Sequence, residues 1–310
     1  MTPLETLILG TRGSRLALTQ AEACARHLQA AGLPVEIRVI KTTSDHHPDT
    51  PLSVIDRRDV FTRQLDEALI KGEIDLAVHS LKDVPTELPE GIVIAAFTER
   101  HDPSDVLVSE ERYSVDELPA GTVVATSSLR RRAQLLHRRP DLKIVEIRGN
   151  VDTRVRKMRE GEADALVLAR AGLERLGMGS QTPHTIIPLE IMLPAVGQGS
   201  LAAATLQDHP LRGRIREALN HATSEKAVLA ERAMLRTLEG GCRVPVGALG
   251  TVEGDMVRLR GVVVSPDGAL HYEGEAGDGE PEEVGERLTR ELLERGAAVV
   301  LGEIREVRSE

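Results

Sequence analysis

Tryptophan is absent from this chain, and phenylalanine and tyrosine contribute two residues each. Proteins that bind single-stranded nucleic acid depend on aromatic stacking, so this scarcity, with a net charge of −10, argues against a nucleic-acid-binding regulator. Cysteine is nearly as rare: Cys24 and Cys242 stand far apart, which fits a reducing cytoplasm better than a disulfide framework. No apolar run approaches membrane-spanning length, and Glu5 sits where the apolar core of a signal peptide would fall, so neither a span nor a leader is expected. His46 and His47 are adjacent, without the spacing of metal ligands, and no metal is expected there.

What remains is an ordinary globular composition, 41% hydrophobic and 28% charged, over 310 residues, enough for two or three domains with their own cores. The charge is unevenly spread. Between Val123 and Arg159 eleven Lys/Arg face three Asp/Glu, a local +8, whereas from Asp267 to Glu310 five face thirteen, a local −8. A basic segment inside an acidic protein points to an anionic ligand held at one place; a solvated basic helix face is the plainer alternative.

Hydrophobic periodicity and turn residues divide the chain into two similar series. The first has a strand at 7–9, a turn Gly10-Thr11-Arg12-Gly13-Ser14, a helix to Ala31 closed by Gly32, a strand at 35–40, and a polar, proline-broken loop to Asp59. A helix marked by Phe61, Leu65 and Leu69 then feeds a strand beginning at Asp75, and a strand at 92–96 precedes a polar crossing at 98–104. The second has strands at 106–108 and 122–125, a turn Thr126-Ser127-Ser128, a helix at 129–139 stopped by Pro140, a strand at 143–147, and a helix at 153–160. Residues 71–78 (KGEIDLAV) match 160–167 (EGEADALV) at equivalent points, which suggests two similar lobes. A second crossing at 193–199 and a strand at 201–204 return the chain to the first lobe, a topology that makes a hinged cleft. A small α+β region follows: a helix at 224–238 with Ser224 as candidate N-cap, strands at 256–264 and 270–275 around a hairpin turn at 265–268, a helix carrying Val284, Leu288 and Leu292, and a candidate last strand at 298–301.

Three groups of residues have chemistry to offer. The buried strand from Asp75 ends in Lys82-Asp83, and Pro85 biases Val84 toward extended backbone, so the pair should stay out of a helix and face the crevice at the strand end; a surface ion pair is the alternative. Arg130, Arg131, Arg132, Arg148, Arg154 and Arg175 gather at turns and helix starts, where guanidinium forks suit a polyanion. Strand, glycine turn and Ser14 at a helix start make an anion cradle beside Arg12. Cys242, after two glycines and beside Arg243, is either a nucleophilic thiol able to carry an attached group or a tolerated loop cysteine, whereas Cys24 falls on a core face of its helix.

Six motifs in order resemble those of the porphobilinogen deaminase (hydroxymethylbilane synthase) family. They are His79-Ser80-Leu81-Lys82-Asp83-Val84-Pro85, Thr126-Ser127-Ser128-Leu129-Arg130-Arg131, Arg148-Gly149-Asn150-Val151 with Arg154, Ala171-Gly172-Leu173 with Arg175, Pro194-Ala195-Val196-Gly197-Gln198-Gly199, and Glu239-Gly240-Gly241-Cys242. The resemblance implies an α/β fold of two periplasmic-binding-protein-like lobes around a cleft plus a small α+β C-terminal domain. The lobes are expected at 1–98 with 200–218 and at 104–193, and the third domain at 221–310.

It further implies a transferase that condenses porphobilinogen units head to tail, with loss of ammonia, into the linear tetrapyrrole hydroxymethylbilane. The primer would be a dipyrromethane held by a thioether on Cys242. Asp83 matches the family's catalytic carboxylate; Lys82, Ser128, Arg130 and Arg131 would hold cofactor carboxylates, and Arg12, Ser14, Arg148, Arg154 and Arg175 the incoming ring and growing chain. The expected partners are porphobilinogen and the polypyrrole chain, with no nucleic acid or membrane, for a cytoplasmic monomer. Val54 and Arg58 replace lysines frequent in the family's mobile loop, and Ala204 stands where glutamate is frequent. A non-catalytic two-lobed sensor or carrier of small anions is the alternative, and it would need neither Asp83 beside Lys82 nor a thiol on a glycine loop.

Overall fold

The computed structural model describes residues 6–41, 62–238 and 245–306. The loop at 42–59, with His46, His47, Val54 and Arg58, and the stretch 239–244, with Cys242, lie outside the described residues. The chain divides into two compact units, Met1–His101 with Gly199–Glu225 and Asp102–Gln198 with Lys226–Glu310.

The first unit opens with β1 (Leu7–Thr11), α1 (Arg15–Ala30), β2 (Val35–Val39), α2 (Arg63–Ile70), β3 (Leu76–Ser80) and β4 (Ile92–Phe97). The second unit supplies β5 (Asp105–Val108), β6 (Val123–Ala125), α3 (Leu129–Arg138), β7 (Lys143–Val145), α4 (Val151–Lys157), β8 (Ala165–Ala169), α5 (Arg170–Arg175) and β9 (His184–Ile186). The chain then returns to the first unit as β10 (Leu201–Leu206) and α6 (Arg212–Leu219). The strand order is β2-β1-β3-β10-β4 in one sheet and β7-β6-β8-β5-β9 in the other. In both, three parallel strands are followed by an antiparallel one in fourth place.

The two sheets are therefore the two similar series expected from the sequence, and the 71–78/160–167 match shows why. Asp75 takes an N–H from Ile8 on its side chain (2.7 Å) and donates its own N–H to the Ile8 carbonyl (2.9 Å). Asp164 does the same with Val123, at 2.8 and 2.9 Å. Each carboxylate supplies the acceptor that the first strand would otherwise lack at its end. Gly72 and Gly161, at φ +68° and +92°, make the left-handed turn before each aspartate, with open space around both, so backbone conformation alone selects glycine there.

Burial on both sheet faces explains the unbroken apolar runs of the inner strands. Leu76 and Val78 pack with Ala21, Cys24 and Leu28 of α1, while Ala77 packs on the opposite face with Leu65 and Leu69 of α2, where Ala204 is also buried. In the second unit Val106 and Val108 serve one face and Leu107 the other.

The remainder of the chain is α7 (Ala222–Thr237), β11 (Val246–Glu253), β12 (Met256–Val264), β13 (His271–Gly277), α8 (Pro281–Leu292) and α9 (Ala298–Glu306). Its antiparallel sheet β11-β12-β13 packs Val246, Ala248, Leu259 and Val263 against Met234, Val284, Leu288 and Leu292. Here two expectations fail and one strand goes unread. Residues 298–301 are helical, because Ala297, Val300 and Leu301 are buried at a helical interval while Val299 is 54% exposed. Ser224 lies inside α7: the His221 imidazole accepts its N–H (3.2 Å), and its hydroxyl accepts the N–H of Arg100 instead (2.9 Å). β11 was not foreseen, since Gly247 and Gly250 interrupt its alternation.

Those glycines serve close approach. A Cβ at Gly250 would lie 2.4 Å from the Ala227 carbonyl oxygen, a backbone atom that cannot swing aside. Gly250→Ala is expected to lower stability by about 1–3 kcal/mol through overpacking. A urea unfolding midpoint equal to the parent's would refute that contact.

Candidate active site

In the first unit the residues singled out from sequence sit where parallel strands end. β3 runs Leu76-Ala77-Val78-His79-Ser80 and passes straight into a single 3-10 turn, Leu81–Asp83. This corrects the expectation that Lys82-Asp83 would stay out of a helix. The turn is fixed by the Leu81 N–H on the Ser200 carbonyl (3.0 Å) and by Val84 N–H on the Leu81 carbonyl (3.0 Å), and Val84 is extended, as Pro85 demands (φ −86°, ψ 125°). Lys82 and Asp83 are both half-buried. β1 is parallel to β3, so Arg12, just past Thr11, emerges at the same carboxyl edge of the sheet, where open α/β folds bind ligands. Ser14 caps α1, its hydroxyl accepting from Ala17 N–H (3.3 Å).

His79 belongs to this edge and was given no role from sequence, although it opens the motif that ends in Asp83. It is 6% exposed, and burial with the nearby Arg12 charge pushes its imidazole down to about 4. It is therefore neutral at physiological pH. A depressed folded-state pKa means that the unfolded chain takes the proton first, so the contribution is fully present above about pH 6.5 and is lost as pH falls toward 4, by roughly 3 kcal/mol. Urea unfolding of the parent and of His79→Leu at pH 7 and pH 4.5 should show the smaller acid loss in the variant; equal losses would dismiss the imidazole as the cause.

In the second unit the same edge is built from β6, β7 and β8, which are mutually parallel. β6 ends in Thr126-Ser127-Ser128; Thr126 Oγ1 accepts the Ser128 N–H (3.2 Å), Ser127 donates to the Ile147 carbonyl, and Ser128 Oγ caps α3 by accepting from Arg131 N–H (3.5 Å). Arg148 follows β7 and Arg175 ends the helix after β8. Arg148 is held by Glu146 (2.7 Å), Arg154 donates to the Gly149 carbonyl (2.7 Å), and both, like Arg175, are half-buried.

Arg130 and Arg131 are placed differently from an exposed anion clamp. They are 5% and 6% exposed and share one carboxylate, Asp105, which is 0% exposed. Arg130 Nη1 reaches Asp105 Oδ2 at 2.7 Å, Arg131 Nη2 reaches Oδ1 at 2.8 Å, and Gln198 is a third donor residue, through Nε2 at 2.9 Å. Burial alone would raise the Asp105 pKa, but the two guanidinium charges outweigh it and hold the carboxyl well below the usual range. Two guanidiniums against one carboxylate leave a net positive charge at the start of α3.

Much of the +8 segment is likewise answered by acids, some from outside it and one, Asp141, from within. Arg138 pairs with Asp116, Arg159 with Glu110 and Arg156 with Glu160, while Arg139 pairs with Asp141 and donates to the carbonyls of Val115 and Leu118. Arg132 alone of the triple arginine is exposed. Among the described residues no group of three or more His, Cys, Asp or Glu is placed to hold a metal ion, and no helix is long and apolar enough to cross a membrane.

An α/β protein with arginines and serines at its strand ends and one carboxylate beside a lysine is the class these observations define. Residues 7–235 match the family model described as porphobilinogen deaminase, dipyromethane cofactor binding domain, and residues 225–294 match the porphobilinogen deaminase C-terminal domain. The porphobilinogen deaminase of Rubrobacter xylanophilus is 67% identical over 302 residues, covering 97% of this chain and 98% of the relative. That of Pelotomaculum thermopropionicum is 48% identical, covering 97% of each. Among solved structures, the methionine-binding protein MetQ aligns over 69% of this chain and 89% of its own with 17% identity and a TM-score of 0.45. The chain belongs to the porphobilinogen deaminase family. It is a transferase of porphyrin and heme biosynthesis that polymerises porphobilinogen into a linear tetrapyrrole and uses a dipyrromethane cofactor.

Taken unit by unit, the residue types assigned to that cofactor fit it. Each pyrrole brings an acetate and a propionate, and the residues assigned to it from sequence supply an ammonium at Lys82, a hydroxyl at Ser128 and the net positive charge of the Arg130, Arg131 and Asp105 cluster. Every one of these suits a carboxylate.

Proposed function

We propose that Asp83 is the general acid and base of the condensation. Its support is a single observation: at the carboxyl edge of the first sheet, Asp83 stands half-buried in the turn that also carries Lys82, next to the strand that leads to Arg12. Lys82, Ser128, Arg130 and Arg131 hold the carboxylates of the dipyrromethane, whose attachment point is the Cys242 thiol through a thioether. Arg12, Ser14, Arg148, Arg154 and Arg175 hold those of the incoming ring and the growing chain. When bound, the dipyrromethane supplies the nucleophilic pyrrole carbon to which the first unit is joined.

In this reading Asp83 gives a proton to the departing amine as the C–N bond breaks, so that ammonia leaves. The carboxylate thus formed accepts hydrogen bonds from pyrrole N–H groups, offsets positive charge on the substrate, and assists removal of the ring proton after the C–C bond forms. The expected domains, 1–98 with 200–218, 104–193 and 221–310, divide this work between the acid and base of the first, the anion-holding arginines of the second and the thiol of the third. A cytoplasmic monomer that binds no nucleic acid completes the proposal.

The reading is tested by brief exposure of the enzyme to porphobilinogen and mass measurement after denaturation. Covalent increments of one pyrrole unit each are expected. Arg148→Gln and Arg154→Gln should shift the distribution toward fewer units, more so at low salt if the contact is electrostatic, with unfolding midpoints near the parent's. Variants that unfold several degrees earlier while elongating normally would make these arginines structural.

A further inference from the structure

We propose that Asp105 is a positioning residue for the primer: it fixes the Arg130 and Arg131 guanidiniums and ties them to the segment entering the return crossing. The inference rests on the reading that these arginines hold cofactor carboxylates.

The geometry is specific. Asp105 is the first residue of β5, its backbone held by pairing with Ala169 of β8 and by the Ile187 N–H (2.9 Å). Its Oδ1 accepts from Arg131 Nε (3.1 Å), Arg131 Nη2 (2.8 Å) and Gln198 Nε2 (2.9 Å), and its Oδ2 from Arg130 Nη1 (2.7 Å). Both guanidiniums are also tied to backbone carbonyls, Arg130 to Leu193 (2.7 Å) and Arg131 to Val167 (3.0 Å). Gln134, one turn along α3, takes the Leu193 N–H (2.8 Å) and returns a bond to its carbonyl (3.1 Å). Gln198 binds the Pro103 carbonyl as well (2.7 Å). Both ends of 193–198 thus converge on α3 and Asp105 within one unit.

Stability does not account for such a cluster. Buried ion pairs roughly break even against apolar residues of similar volume once desolvation is counted, and two like charges around one carboxylate add repulsion. What the carboxylate provides is orientation: planar guanidinium forks bound along an edge and again to a carbonyl have few directions left for their remaining donors. Asparagine at 105 would keep the shape, lose the charge, and turn an N–H₂ toward groups that are themselves donors.

The test is the fraction of purified, folded chain whose mass exceeds the sequence mass by a dipyrromethane, a readout independent of turnover. In Asp105→Asn that fraction is expected to fall on the order of tenfold, the scale on which residues behind a ligand-holding shell act. Asp105→Glu, which restores the charge, should recover part of it, and Gly250→Ala, destabilised in the same unit away from the cluster, should load fully. Parental loading in Asp105→Asn overturns the proposal. Arg131→Gln separates the two levels. If it loses loading while Asp105→Asn keeps it, only the role of Asp105 fails; if both load normally, the arginine reading fails with it. Should Asp105→Asn not fold, Gln198→Met, which removes one contact and spares the charges, is expected to lower loading in the same direction, and parental loading there overturns the proposal equally.

Discussion

Asp83→Asn is expected to fold, keep its dipyrromethane and lose nearly all ammonia release. The side chain is half-buried at the end of a strand, and the turn that carries it is held by backbone bonds from Leu81 and Val84 rather than by the carboxylate, so the amide should leave the fold intact. An amide cannot deliver or take up a proton at working pH. Loss of general acid and base work of this kind typically costs roughly 10²–10⁴ in rate. The effect should fall on kcat, with little change in the porphobilinogen concentration needed for half-maximal rate, because the groups proposed to hold the substrate's carboxylates, Arg12, Ser14, Arg148, Arg154 and Arg175, are unchanged. Turnover within about threefold of the parent, far short of the usual general-acid contribution, would remove Asp83 as the proton donor.

The place of Lys82 and Asp83 at a strand end was legible because its signals are local. A short buried strand that stops at a lysine and an aspartate can be read within eleven residues, and the repeated Gly-Glu-x-Asp segment revealed the second lobe by the same means. The Arg130 and Arg131 partnership was not legible, since Asp105 lies 25 and 26 residues away along the chain and is joined to them only by the packing of β5 against α3. An aspartate opening a fully buried strand was the available hint: such a charge requires a partner. For the same reason the +8 segment overstated its electrostatic reach, because Asp105, Asp116 and Glu110 come from outside it. The C-terminal sheet was half read. Gly250 and Gly247 weakened the pattern of β11 for a reason only packing supplies, and 298–301 is too short for apolar content to distinguish strand from helix. Asp83 and Arg148 were singled out by their places at a strand end and in a turn and by the motifs that resemble the family's; the surroundings of Asp105, Gln198 and His79 required the fold.

The largest effect should follow from Cys242→Ser, which is expected to abolish the covalent adduct and the activity together. Cys242 lies outside the described residues, so the prediction stands on its two preceding glycines, its neighbour Arg243 and the family to which the chain belongs. The other cysteine provides the contrast: Cys24 is 2% exposed and packed among Leu7, Leu9 and Leu28, where no attached pyrrole would fit. Because a thioether carries no exchangeable S–S bond, acid or urea should unfold the parent without releasing the group, and thiol reductants should not remove it. The denatured parent should therefore exceed its sequence mass by a dipyrromethane, give a pyrrole colour reaction, and yield the modified peptide at Cys242 with Cys24 unmodified. A serine hydroxyl, much less readily ionised than a thiol, should not take the group up when porphobilinogen or tetrapyrrole is added. An active parent preparation with unmodified Cys242 would overturn the thioether assignment. An inactive, unmodified one that gains both mass and activity on addition of porphobilinogen or tetrapyrrole would support it, whereas one that gains activity with Cys242 still unmodified would overturn it equally.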